Sequence, residues 1–321
     1  MKKLKKEKGI KMNSIDLHCD TASRLLYENL KLRESICKVD IKKLKEGKAL
    51  AQVFAHFIEL DLVKNPYEEF IKMYNNFTKE LKENEDSIEL VRNLKELEEV
   101  NSLGKIGAFL SIEEGEVLEG KVERVQELYD MGIRFITLTW NFKNSIGYPN
   151  VGYKYKDKGL TERGKEIVLE MERVGIIPDC SHLSDGGFYD LVNICKKPFI
   201  ATHSNAREIT DHSRNLTDDM IVKLANKGGV MGLNFCGPFL GSEKVPTISS
   251  MIAHLKHIKN IGGVDVLALG TDFDGIENEV EIKNIAEIGK LRDSLIKEGF
   301  TNTEIDKIYY GNVKRVLKEW L

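Results

Sequence analysis

Eight short apolar runs, each followed by a loop and then a charged amphipathic stretch, limit what this chain can fold into more than any other feature. They are SIDLHCD near 14–20, ALAQVFAHFI near 49–58, KIGAFLSI near 105–112 and RFITLTW near 134–140, then GIIPDCSH near 175–182, PFIATHS near 198–204, GVMGLNF near 229–235 and DVLALGTDF near 265–273. Runs this short, apolar on both faces and rich in β-branched residues, read as strands of a parallel sheet covered on both sides. Helical patterns lie between them. Ile167, Met171 and Val174 recur at i, i+4 and i+7 within 161–174, which marks an inward face. The stretch 216–227 opens with Thr217-Asp218-Asp219, whose oxygens can cap free N–H groups. A further amphipathic stretch spans 247–261, and the tail from Asn284 to Leu321 reads as two helices, the second capped by Thr301 or Asn302. Eight strand–helix units predict an α/β fold closed as a (β/α)8 TIM barrel. An open doubly wound sheet is the alternative. It usually carries a glycine-rich turn after its first strand, where this chain has His18-Cys19-Asp20.

The chain has 321 residues and only six prolines. With no repeat and no Gly/Ser-rich hinge, it predicts one barrel domain over 13–321 with C-terminal helices. Residues 1–12, MKKLKKEKGIKM, are expected to be a basic, solvated N-terminal tail. Lys plus Arg is 48 against 51 Asp plus Glu, a net charge of −3, which argues against nucleic acid as a partner. No run approaches the roughly 18 apolar residues of a membrane-spanning helix, and the basic start lacks the apolar stretch of a secretory signal. The five cysteines are scattered with no CxxC. That speaks against a disulfide framework or zinc knuckle and fits a reducing cytoplasm.

Residues able to bind metal close run after run. His18 and Asp20 end the first, Glu113 and Glu114 follow the third, His182 ends the fifth, His203 the sixth, and Asp272 and Asp274 the eighth. In a barrel these ends share one rim, where active sites are built. His18 and Asp20, two apart on a strand, point to one side, and imidazole with carboxylate suits zinc. Glu113 can bridge two ions, although with Glu114 and Glu116 beside it a solvated loop glutamate is the plainer reading. His182 and His203 close neighbouring strands and can share one ion. Asp272 can take a proton or hold an ammonium; Asp274, on the same side, reads better as a turn cap. Arg214 has the guanidinium that pairs with a carboxylate, though an exposed loop arginine is the simpler reading. His56 reads as a core residue and His212 as ordinary. His254 and His257 sit on a charged helix and read as solvated or boundary residues. Trp140 and Asn141 either line the pocket or pack.

Taken together, IDLHCDT, IEEG, GIRFITLTWN, DCSHLS, ATHSNAR, SRNLTDD and GTDFDG, in this order from about Ile15 to the C-terminus, resemble the membrane (renal) dipeptidase family. The resemblance implies a barrel of the metal-dependent hydrolase type holding two Zn2+ ions, in a bacterial-type member without the membrane anchor of animal enzymes. It assigns His18 and Asp20 to the first zinc, Glu113 to both, and His182 and His203 to the second. Asp272 would contact the substrate amino group and handle protons, and Arg214 would bind the substrate carboxylate. The implied activity is a dipeptidase using a metal-bridging hydroxide, and a D-residue at the second position is left open. Dimers are common in the family, so a homodimer is expected. The alternative is another amidohydrolase acting on N-acyl amino acids or on cyclic amides and lactones. Two departures stand out. Trp140 occupies the place of a family histidine thought to polarise the scissile carbonyl, a role Asn141 or the metal could fill. Glu113-Glu114-Gly115 replaces Glu-Gly-Gly.

Overall fold

The computed structural model describes residues 13–320. The basic tail at 1–12 lies outside the described residues. Eight strands form: β1 (Ser14–Cys19), β2 (Ala49–Phe57), β3 (Ile88–Leu90), β4 (Ile106–Glu113), β5 (Ile133–Thr137), β6 (Ile177–Asp179), β7 (Met231–Leu233) and β8 (Leu267–Leu269). All pairings between them are parallel, in the order β6-β5-β4-β2-β1-β8-β7.

The run at 198–204 closes the ring without forming a named strand. Single parallel bridges join Asp179 to Ile200 and Ala201 to Met231. Beyond them the backbone turns to side-chain acceptors: Thr202 N–H donates to Asp179 Oδ1 at 2.8 Å and His203 N–H to Ser181 Oγ at 3.1 Å. Those bonds satisfy groups that a ladder would otherwise use. The eight expected runs therefore build the barrel. β3 lies outside those runs; it pairs with the N-terminal half of β4, while β5 takes the C-terminal half.

Every position around the ring contributes to one buried cluster that fills the interior. It includes Ile15, Leu17, Val53, Phe109, Phe135, Ile177, Ile200, Val230 and Ala268. The last helix, Asn312–Trp320, adds Val313, Val316, Leu317 and Trp320 to the same cluster, an i, i+3, i+4, i+7 stripe that plugs the bottom. Ile15 and Leu17 face this interior, so strict alternation would turn His18 outward. A register irregularity between Asp16 and Cys19 breaks the alternation and lets His18 reach the mouth.

The helices start where the sequence places caps. Thr161 Oγ1 accepts from Gly164 N–H, Thr217 from Met220 N–H, and Thr247 and Thr301 each complete a capping box. The second tail helix starts at Asn302 and passes through a wider turn at Lys307–Gly311 before Asn312–Trp320. Among the described residues, no helix is long and apolar enough to cross a membrane.

Candidate metal centre

At the C-terminal mouth the structure brings together all five side chains proposed as ligands. His18 Nε2 lies 3.4 Å from Asp20 Oδ2 and 3.2 Å from Glu113 Oε2. The other oxygen, Glu113 Oε1, lies 3.1 Å from His182 Nε2 and 3.6 Å from His203 Nε2, and these two nitrogens are 3.0 Å apart. Two donor triads result, His18–Asp20–Glu113 and Glu113–His182–His203, with the ligand atoms of each within 4.8 Å of one another. Asp272 Oδ1 stands 3.9 Å from His18 Nε2, and His18, His203 and Asp272 form a third such group.

Three observations fit divalent metal here. Donors bound at about 2.0–2.1 Å to a tetrahedral ion stand roughly 3.3 Å from each other, close to the spacings above. Among the described residues, Asp20 Oδ1 is buried with no hydrogen-bond partner and His18 Nε2, despite the carboxylates beside it, makes no hydrogen bond of good geometry, a costly state for groups without a cation to meet. Finally, the imidazoles of the second triad are in the form that ligates. Burial, then the cations Arg214 and His18, pushes His182 well below the usual histidine range, and burial does the same to His203. Burial pushes Glu113 up to about 8. Burial also works against a charged His18, but Glu113 and Asp20 outweigh it and raise its pKa well above the usual range.

Outer groups hold the donors. His182 Nδ1 faces Asn141 Oδ1 at 3.2 Å and His203 Nδ1 faces Thr202 Oγ1 at 2.8 Å, leaving both Nε2 atoms turned to Glu113. Behind them Asp179, fully buried, accepts from Thr137 Oγ1 at 2.6 Å, Ser181 N–H at 2.9 Å, Thr202 N–H at 2.8 Å and Thr202 Oγ1 at 2.5 Å. Asp16 likewise ties β1 to the loop carrying Asp272, accepting from Thr271 N–H and Oγ1 at 2.8 Å each. Sequence reasoning missed both aspartates. The available signal was a carboxylate inside an apolar run, which burial makes expensive unless several donors meet it.

A cavity of about 700 Å³ opens over the cluster, lined among others by Phe57, Trp140, Asn141, Arg214 and Asp272. Arg214 is buried, not exposed. Its Nη2 donates to His203 O at 3.3 Å, while Nε and Nη1 have no partner among the described residues. Asp272 Oδ2 accepts from Asn234 Nδ2 at 2.8 Å, which leaves Oδ1 toward the cluster.

Several simpler readings need correction. Asp272 and Asp274 both have positive φ, 61° and 70°, so strand alternation fails there. Asp274 turns away to accept from Thr21 Oγ1, Arg24 Nη1, Lys38 N–H and Val39 N–H, tying loops together rather than capping its own turn. Glu113 is buried at the end of β4, not a solvated loop glutamate, and Glu114 beside it is buried as well. His254 is also in the core, with Nδ1 accepting from Ala206 N–H at 3.1 Å and Nε2 3.3 Å from Leu240 O. His257 sits at the boundary on Asp218, 2.6 Å away. His56 is buried as expected, 3.0 Å from Ser111 O.

An eight-membered parallel barrel whose strand ends gather imidazoles and carboxylates under a cavity defines a metal-dependent hydrolase. The family model for membrane dipeptidase (peptidase family M19) matches residues 6–320, and the chain belongs to that family, as a metallopeptidase acting on peptide bonds. It is 30% identical over 312 residues to uncharacterized dipeptidase C965.12 of Schizosaccharomyces pombe, covering 87% of this chain and 71% of that one. Its fold is shared with a metallo peptidase from Rhodobacter sphaeroides liganded with a phosphinate mimic of the dipeptide L-Ala-D-Ala. There the TM-score is 0.90 at 22% identity, over 97% of this chain and 100% of that one. The metallo peptidase dipeptidase AC gives a TM-score of 0.89 at 24% identity, over 97% and 99%.

Proposed function

We propose that this chain is a dinuclear zinc dipeptidase in which His18, Asp20 and Glu113 hold one ion and Glu113, His182 and His203 the other. The observation carrying this reading is Glu113, whose two carboxylate oxygens face different donor sets at 3.1–3.6 Å. Zinc held there would supply Lewis acidity and make water reactive near neutral pH. The remaining work falls to the chain. Arg214 lines the cavity and uses a single N–H of Nη2 on His203 O, so its guanidinium keeps unpartnered N–H groups for a terminal carboxylate. Asp272, fixed through Oδ2 by Asn234, receives the nucleophile's proton at Oδ1 and returns it to the leaving amine. The same carboxylate attracts the substrate ammonium. Recognition of both charged ends confines the enzyme to dipeptides, since a longer peptide misses one contact. A D-residue at the second position falls within the reading, supported by the ligand of the R. sphaeroides structure. The five cysteines are all free, which supports a reducing compartment such as the cytoplasm.

The test is metal analysis of the purified protein with a substrate panel: dipeptides with L and D second residues, their N-acetyl derivatives, and lactones. Two zinc equivalents and turnover requiring a free amino terminus are expected, with activity lost on chelation. Preferred hydrolysis of N-acyl amino acids or lactones would replace the dipeptidase reading with the broader amidohydrolase one.

A further inference from the structure

Glu114 is the most unusual residue near the cluster. It has φ 104° and ψ 95°, a backbone conformation that side-chain-bearing residues rarely adopt and that persists only where the surroundings enforce it. It follows Glu113 directly, yet its carboxylate points the other way. Oε1 accepts from Glu116 N–H at 2.9 Å and Asn144 Nδ2 at 2.5 Å, and Oε2 from Trp140 N–H at 3.0 Å. Asn144 extends the connection: its Nδ2 also donates to Leu138 O at 2.8 Å, and its Oδ1 accepts from Ile146 N–H at 2.8 Å and Gly147 N–H at 2.9 Å. Glu116 adds a further tie, accepting from Ser145 N–H at 2.6 Å. The two segments pack so closely that a Cβ on Gly115 would stand 2.6 Å from Leu138 O.

The clamped segment, 138–147, carries two residues that face the cavity. Trp140 packs edge-on against Phe57 with ring centroids 4.8 Å apart, and lies 6.2 Å from the His182 ring. Asn141 Oδ1 meets His182 Nδ1 at 3.2 Å. We propose that Glu114 is a positioning residue: its buried carboxylate, held in a strained turn beside Glu113, fixes the 138–147 segment so that Trp140 and Asn141 form the substrate-facing wall of the cavity. The substrate arm of its test rests on the dipeptidase reading; the spectroscopic arm does not.

Glu114→Gln and Asn144→Ala break the clamp from opposite sides. A glutamine retains one carbonyl oxygen and turns an NH2 toward donors, so at least one N–H loses its acceptor. Both variants are made in a Trp320→Phe background, where Trp140 is the sole tryptophan. Zinc content is expected to match the parent. Trp140 emission should shift to the red and become more open to acrylamide quenching, and KM for a hydrolysed dipeptide should rise about 10- to 100-fold, with a smaller change in kcat. The double variant should lose little more than either single one. Trp140 emission and quenching like the parent's in either folded variant, or a KM within twofold of the parent's, overturns the proposal. If the unmodified chain hydrolyses no dipeptide, the dipeptidase reading fails, and the fluorescence of the two variants alone decides the role of Glu114.

Discussion

Replacing Arg214 by Met separates carboxylate recognition from every other role this residue could have. In the structure Arg214 is only 4% exposed. It donates one hydrogen bond, at 3.3 Å to His203 O, and its guanidinium lies 5.3 Å from the Phe239 ring centre. Its Nε and Nη1 meet no acceptor among the described residues. Hydrogen bonds to charged groups contribute about 1.5–3 kcal/mol each, so a carboxylate accepting two from the guanidinium is worth about 3–6 kcal/mol. At about 1.4 kcal/mol per decade, the variant should lose roughly 10²- to 10⁴-fold in kcat/KM on a free dipeptide. The same loss should appear when the parent is given the dipeptide's C-terminal amide. The decisive assay is the four-way comparison of parent and Arg214→Met on the acid and the amide. The variant should distinguish the two substrates far less than the parent does. Its stability should be unchanged or higher, because a buried cation with unmet donors is removed. A variant that loses equal activity on acid and amide would refute the assignment and make Arg214 a structural support for His203.

Three other outcomes follow from the same geometry. Asp272→Asn keeps the side-chain volume and should retain parental zinc content while kcat falls about 10²- to 10⁴-fold, measured by metal analysis beside steady-state kinetics. Asp179→Ala leaves four buried donors without their acceptor; denaturant unfolding should show a loss of about 3 kcal/mol or more, and zinc affinity should weaken about 10- to 100-fold through Thr202 and His203. Burial lowers both His56 and His254 to about 4, so the unfolded chain, with histidines near 6.5, takes up protons first as the pH falls. The stability they contribute is present above about 6.5 and is lost toward 4, about 2 kcal/mol each between pH 7 and 5. Unfolding of metal-free His254→Gln should therefore depend less on pH over that interval than the parent does, and an equal dependence would contradict the burial argument.

The barrel was legible because its strands are fully covered, and such strands appear as short unbroken apolar runs between charged helices. The departures have local causes. The run at 198–204 yields only bridging residues because Asp179 and Ser181 side chains take over its N–H groups. β3 has three residues, too few for a periodic signal. His254 falls on the apolar stripe of Met251, Leu255 and Ile258, all buried, a periodicity that the lysines around it mask in the sequence.

Within the site, residue type and position at strand ends pointed to the donors, while the supporting groups were hidden. Glu114 and Asp274 escaped because both adopt positive φ, where the two-residue period that predicts facing no longer holds. Arg214 looked exposed because nothing in a loop sequence reports that neighbouring strand ends and Phe239 will cover it. Asp16 and Asp179 look like errors in apolar runs until their donors, brought in from other strands, are seen.

The proposed centre stands or falls with Glu113 joining two cation sites. Crystals of the zinc-loaded protein, measured on either side of the zinc absorption edge, test this directly. Two anomalous peaks about 3.5–4 Å apart, one among His18, Asp20 and Glu113 and one among Glu113, His182 and His203, are predicted. A single peak, or zinc bound away from Glu113, would contradict it.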